Sequence, residues 1–196
     1  SSIPGIEVLL DPMGGVSPNE KFDSISASDI AKYVNVNSAY YLNVFKRIKD
    51  FKRSRFNFCA FLFSGGWLLY RKQYKLGSLI TIIMALFSIA STYIMYFFYY
   101  PILADVLSAA DVGLSDRVLT PEQSNAVMQQ LLALPYSKIL ILLAPSVMFF
   151  IGLLIMFIIG FKGNKIYMKH VVAKVSRLKE ESKNNLANYN ERLETE

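Results

Sequence analysis

The chain has 196 residues, 53% of them hydrophobic, and a mean hydropathy of +0.32, too apolar for an average soluble domain and too short for several domains. One membrane module with soluble flanks is expected. The net charge of +6 and pI near 9.3 would suit a nucleic-acid binder, but the basic residues crowd against apolar runs, so the phospholipid bilayer is the expected partner and nucleic acid is not.

Residues 1–24 hold Pro4, Gly5, Pro12, Gly14, Gly15 and Pro18, punctuation too dense for a long helix or a central strand, and an irregular arm is expected. Ser1 to Leu10 lacks the basic region of a cleavable signal, and a start without Met leads us to expect upstream sequence. Over 25–55 two cytoplasmic amphipathic helices are predicted. Ser26 and Asp29 make a capping-box-like start for a short one to about Tyr33; Asn37 or Ser38 caps a longer one to about Lys52. Tyr41, Val44, Phe45, Ile48 and Phe51 share one face of the longer helix, among Lys46, Lys49, Lys52 and Arg53. Such a helix either rests on headgroups or packs against its shorter neighbour.

Phe56 to Tyr70 reads FNFCAFLFSGGWLLY, an apolar stretch only fifteen residues long, about 22 Å as helix, too short to span comfortably. Gly65-Gly66 sits inside it, each glycine weakening a helix by roughly 1 kcal/mol relative to Ala. Basic residues flank both ends, so a re-entrant or interfacial helical hairpin over 56–75 is expected, with a short third spanning helix as the alternative. Arg53, Arg55, Trp67, Tyr70, Arg71 and Lys72 are its candidate lipid-interface residues. Cys59, the only cysteine, allows no intrachain disulfide or zinc ribbon and is expected as a small buried hydrophobe.

The string FNFCAFLFSGGWLLYRKQYKLG, Phe56 to Gly77, resembles the hallmark of a bacterial family of small membrane proteins known as domain of unknown function 2628. Phe56, Asn57, Ala60, Phe61, Phe63, Gly65, Trp67, Leu69, Tyr70, Arg71, Lys72, Tyr74 and Gly77 match its pattern. Phe58 stands where Trp is usual, and Gly66 where Pro is usual. The stretch from Gly15 to Leu42 also looks like relatives that carry an N-terminal zinc ribbon, which is not present here. The resemblance implies a bacterial cytoplasmic-membrane protein and supplies no activity.

Leu76 to Ala104 runs twenty-nine residues without a charge or a histidine, and Ile139 to Phe161 runs twenty-three, about 34 Å of helix against a hydrocarbon core of about 30 Å. Both are predicted transmembrane helices. Between Lys46 and Lys75 nine basic residues face one acid, Asp50, and Lys162, Lys165, Lys169, Lys174, Arg177 and Lys179 follow the second run. In 105–138 Asp105, Asp111, Asp116 and Glu122 outnumber Arg117 and Lys138. The positive-inside bias therefore predicts both termini in the cytoplasm and 105–138 outside. Tyr93, Tyr96, Tyr99, Tyr100 and Tyr136 fit the outer interface, and Trp67, Tyr70, Tyr74 and Tyr167 the inner one.

Thr120, Pro121 and Gln123 predict an external helix over about 121–134, its Val127, Met128, Leu131 and Leu132 covering the outer helix ends or binding a partner. Ser78, Thr81, Ala85, Ser88 and Thr92 form a small-residue stripe on the first long helix, and Ala144, Gly152 and Gly160 another on the second. Both are candidate packing surfaces, within one chain or between copies. Pro101 is expected to end the first helix and Pro145 to bend the second. In the tail 162–196, Val171, Val175 and Leu178 predict a cytoplasmic helix that pairs with a copy of itself and frays toward Ser182, Asn185, Glu191, Glu194 and Glu196.

No phosphate loop, metalloprotease pattern or cysteine cluster occurs, and His170, the only histidine, is expected to be solvated or lipid-facing. Asp105 and Asp111 are read as solvated rather than as a cation site. An enzyme and a cofactor are not expected. The expected product is an all-α integral membrane protein of the bacterial cytoplasmic membrane, a subunit, adaptor or regulator with a membrane-protein partner or in a homo-oligomer. The alternative is a small oligomeric channel or an accessory subunit of a transporter, its pore lined by the hydroxyls of the first stripe.

Overall fold

The computed structural model describes residues 11, 13–113, 118–182 and 186–195. The expectations resting on Ser1, Pro4, Gly5, Leu10, Pro12, Asp116, Arg117, Asn185 and Glu196 lie outside them. The described chain is mostly helical and divides into two compact units: the residues up to Gly77 together with those from Met156 onward, and Ser78–Ile155.

The first unit opens with a departure from the irregular arm. β1 (Lys21–Phe22) and β2 (Ile25–Ser26) pair antiparallel, Lys21 opposite Ser26 and Phe22 opposite Ile25. Two-residue strands are too short to write an alternating pattern into a sequence. α1 (Ala27–Val34) is capped by Ser26, whose hydroxyl accepts from the Asp29 N–H at 3.2 Å. α2 (Ser38–Phe51) follows a corner in which Asn35 and Asn37 have positive φ, a conformation asparagine tolerates. The longer helix packs inward: Tyr41, Leu42, Val44, Phe45 and Ile48 are buried with Phe22, Ile25 and Ile30. Each such side chain contributes about 1.5–3 kcal/mol by leaving water. Phe51, expected on the same face, is exposed at the last turn. Lys49 pairs with Glu20 and ties α2 to the arm.

α3 (Phe58–Phe63) and α4 (Gly65–Tyr70) form a helix, break, helix unit. The break lies at Ser64, with φ of +38°, and not between the two glycines, which begin α4. Ser64 closes α3 by donating its N–H to the Ala60 carbonyl at 2.9 Å and its hydroxyl to the Phe61 carbonyl at 3.2 Å.

α5 (Tyr74–Ile94), a π-helical turn (Met95–Tyr99) and α6 (Tyr100–Ala109) make one continuous 36-residue helical stretch. Pro101 does not end it. Tyr100 donates its N–H to the Met95 carbonyl five residues back, and the wider turn leaves proline near the start of α6, where its missing N–H costs little. α7 (Pro121–Leu132) has the complete capping box, Thr120 and Gln123 each bonded to the other's backbone N–H. No residue of α7 is buried, and Met128 and Leu132 are exposed; Gln123 Nε2 donates to the Asp111 carbonyl at 3.2 Å.

α8 (Tyr136–Glu181) is a single 46-residue helix that holds the second apolar run, most of the basic tail and an uninterrupted Pro145. α9 (Leu186–Thr195) follows, and Arg192 and Arg177 both bond Glu181, at 2.9 and 2.6 Å. Both long helical stretches are long and apolar enough to cross a membrane, and none of their most apolar 18-residue windows is buried by the rest of the chain.

In the second unit the stripe Ser78, Thr81, Ala85, Ser88 and Thr92 is exposed. Ala144 and Gly152 are half-buried, and a Cβ on Gly152 would lie 3.8 Å from Met84 Cε. Asp105 and Lys138 approach to 3.9 Å.

Candidate functional site

The first unit is organised by one face of α8. Gly160, the adjacent Gly163 and Asn164, then Tyr167, Val171, Val175 and Leu178 at steps of three or four are all buried there. Val171, Val175 and Leu178 are thus covered by this chain's own fold and are not open to a second copy, which corrects the expected self-pairing. Gly160 likewise serves a different seam from the expected one. A Cβ on it would lie 2.6 Å from the Phe56 ring, and one on Gly163 would lie 3.1 Å from Ala60 Cβ, so the two glycines seat the start of the hairpin on α8.

Asn57 fixes that seat. Its side-chain oxygen accepts from the Ala60 N–H at 2.9 Å and caps α3, its amide donates to Asn164 Oδ1 at 2.7 Å, and its backbone N–H donates to the Gly160 carbonyl at 2.9 Å. Asn164, fully buried, donates its own amide to the Arg55 carbonyl at 3.1 Å. A buried amide left without such partners costs about 1–3 kcal/mol, so this network holds the hairpin in one register.

The far end of the hairpin carries a caged cation. Arg71, at the C-terminal cap of α4, is 7% exposed. Its guanidinium carbon lies 4.4 Å from the Tyr41 ring centroid, 5.0 Å from that of Tyr70 and 5.5 Å from that of Tyr167. Nη1 donates to the Val36 carbonyl at 3.3 Å, and Nε, buried, has no hydrogen-bond partner. Among the described residues no carboxylate pairs with it. Burial pushes the Tyr41 and Tyr167 phenols up, with Arg71 acting against that rise, so the cage offers neutral rings and no counter-anion. Tyr167 also stacks edge-on against Tyr41 at 5.0 Å and Trp67 at 5.9 Å.

Arg71 and Trp67 line an open cavity of about 710 Å³ bounded by α2, α3 and α4, whose other walls include Phe56, Phe58, Phe63 and Tyr70. Trp67 and Arg71, expected on a lipid-facing surface, are therefore inside the fold, whereas Arg53, Arg55 and Tyr70 are exposed and Lys72 is half-buried with its ammonium 5.1 Å from the Tyr33 ring. Cys59, expected buried, is exposed and lines the cavity, because α3 buries only Ala60. His170 is half-buried, and burial with the nearby Lys174 lowers its pKa. Among the described residues no cluster of three or more His, Cys, Asp or Glu has the geometry to hold a metal ion.

Asn164 and Gly163, and the role of Tyr167 beneath Arg71, were not singled out in the sequence. Their signal is present: from Gly160 onward small, amide and aromatic residues recur at helical spacing while Lys162, Lys165 and Lys169 occupy other faces.

A family model described as "Protein of unknown function (DUF2628)" matches residues 26–172, from the cap of α1 to the buried face of α8, and so includes every residue of the seat and the cage. Comparison with curated proteins and with solved structures finds no match.

Proposed function

Taking as premise that this chain belongs to the DUF2628 family of proteins of unknown function, we propose that it is a small membrane subunit, adaptor or regulator that acts through protein and lipid contacts and performs no catalysis of its own. In this reading α5–α6 and the first half of α8 span the cytoplasmic membrane, and both termini lie in the cytoplasm. The observation that carries it is the uncovered state of the two long apolar helices, a surface far larger than a soluble monomer tolerates.

The hairpin supports an interfacial rather than a spanning placement. α3 and α4 have six residues each, about 9 Å of helix, less than a third of a bilayer core. Phe58, Leu62, Phe63, Tyr70 and Tyr74 are exposed on it, and the exposed Arg53, Arg55 and Lys75 flank it, the residue types that headgroup regions accept. Cysteines placed at Arg55 and Lys75 in a Cys59-free background should both resist an impermeant thiol reagent added outside intact cells. Labelling at one site alone would refute the interfacial hairpin. Mild extraction followed by mass spectrometry of what copurifies should then return a membrane partner in fixed ratio.

The exposed hydroxyls of Ser78, Thr81, Ser88 and Thr92 favour a second reading, an oligomeric channel or transporter subunit. Ion flux in liposomes containing the purified protein, abolished by Ser88→Trp, would select it over the adaptor.

A further inference from the structure

We propose that the cavity beside Arg71 is a binding site for one anionic phospholipid, its phosphate diester held by the guanidinium and its acyl chains laid along the aromatic wall. This rests on the interfacial placement of the hairpin and adds to it a defined ligand.

The first ground is charge. Arg71 is more than nine-tenths buried, its Nε is unpartnered, and among the described residues no acid lines the cavity. A buried guanidinium without a counter-anion carries a desolvation penalty, which the Val36 carbonyl and the neutral rings of Tyr41, Tyr70 and Tyr167 offset only in part. Arg71 lines the cavity, so an anion entering there completes the pairing, and phosphate is the group its fork geometry fits best.

The second ground is the wall. Phe56, Phe58, Phe63 and Trp67 are wrong company for a hydrated inorganic anion and right for hydrocarbon. Phe58 and Phe63 are also exposed at 70% and 67%, so the apolar surface continues from the cavity to the outside of the hairpin. The third is the approach. Tyr40 is shared with a neighbouring cleft of about 600 Å³ that Lys46, Arg47 and Arg55 line with a single acid, Asp50, a basic entrance for an anionic headgroup.

Trp67, the only tryptophan in the chain, sits in the cavity wall and reports on its occupant. The full chain is reconstituted in phosphatidylcholine vesicles doped with a chain-brominated lipid, either phosphatidylglycerol or phosphatidylcholine, and Trp67 fluorescence is followed in the floated fraction. Brominated phosphatidylglycerol should quench well beyond what its bulk mole fraction predicts, and brominated phosphatidylcholine only in proportion to it. In Arg71→Gln the concentration of phosphatidylglycerol giving half quenching should rise about tenfold, the loss of one charge-assisted hydrogen bond. Gly66→Phe provides a second variant that leaves the cage untouched. Gly66 lines the cavity, and a Cβ there would meet nothing closer than Phe63 Cβ at 4.0 Å, so the ring has room to enter and should abolish the selectivity.

Equal quenching by the two lipids, or selectivity surviving both variants, overturns the site while leaving the membrane placement standing. Protection of Trp67 by inorganic phosphate at the expense of lipid overturns the lipid as occupant. Failure of the chain to float with vesicles overturns the placement itself, and the site with it.

Discussion

The two halves of α8 are the same helix written for two different surroundings. Toward its start Leu140, Leu143, Val147, Phe149, Phe150 and Leu154 are exposed, and no polar face balances them. From Ile159 the sequence turns amphipathic, burying a stripe down to Leu178 and exposing Lys162, Lys165 and Lys169. Periodicity appears where a helix has water on one side and protein on the other, and it vanishes where every side is apolar. In the proposed membrane placement an exposed leucine in the first half is therefore not a defect of packing, whereas a missing one in the second half is.

Truncation breaks or sharpens this contrast most directly. Leu178→Ala should cost about 3 kcal/mol, while Leu154→Ala should cost less than about 0.5 kcal/mol in detergent, since apolar solvent replaces what the side chain gave up. Thermal unfolding followed by circular dichroism distinguishes the two, and equal losses would erase the contrast. Asn164→Leu should cost about 2 kcal/mol, because it strands the Asn57 amide and the Arg55 carbonyl in a buried site. The double variant with Asn57→Leu should cost less than the sum of the singles in a mutant cycle.

Glycine substitutions sharpen the comparison at smaller scale. Gly160→Ala pushes into the Phe56 ring and should destabilise by about 1 kcal/mol, whereas Gly152→Ala meets only Met84 Cε at ordinary contact distance and should gain up to about 1 kcal/mol of helix propensity. The smallest effect is His170. Its folded pKa lies below the ordinary 6.5, held there by burial and Lys174, so the unfolded chain takes up the proton first. The contribution of this group is intact above pH 6.5 and declines as pH falls through the folded value. The melting temperature of the wild type should drop more between about pH 7.5 and pH 5.5 than that of His170→Gln.

Local physics was legible in the sequence and distant pairing was not. The charge-free runs, the Thr120–Gln123 capping box and an interruption within the Phe-rich segment each depend on residues within one or two turns. The interruption still landed one position early, at Ser64, because its hydroxyl and N–H close α3 before the glycines are reached. The burial of Trp67 and Arg71 depends on Tyr167, about a hundred residues on, and on Tyr41 in a third element. An aromatic and an arginine beside an apolar run read equally well as interface anchors or as a cage. Cys59 was misread for the opposite reason: apolar neighbours imply burial only where protein covers them, and α3 is covered on the Ala60 side alone.

The π turn ahead of Pro101 acts as an angular offset. Each α-helical residue advances the chain by about 100°, and a π turn absorbs one residue more than an α turn, so the side chains beyond it point about 100° away from where a regular ladder would send them. Ile102 and Val106, buried in the second unit, owe their facing to that extra residue. Length within Met95–Tyr99, more than the identity of its aromatics, thus sets which face of α6 turns inward.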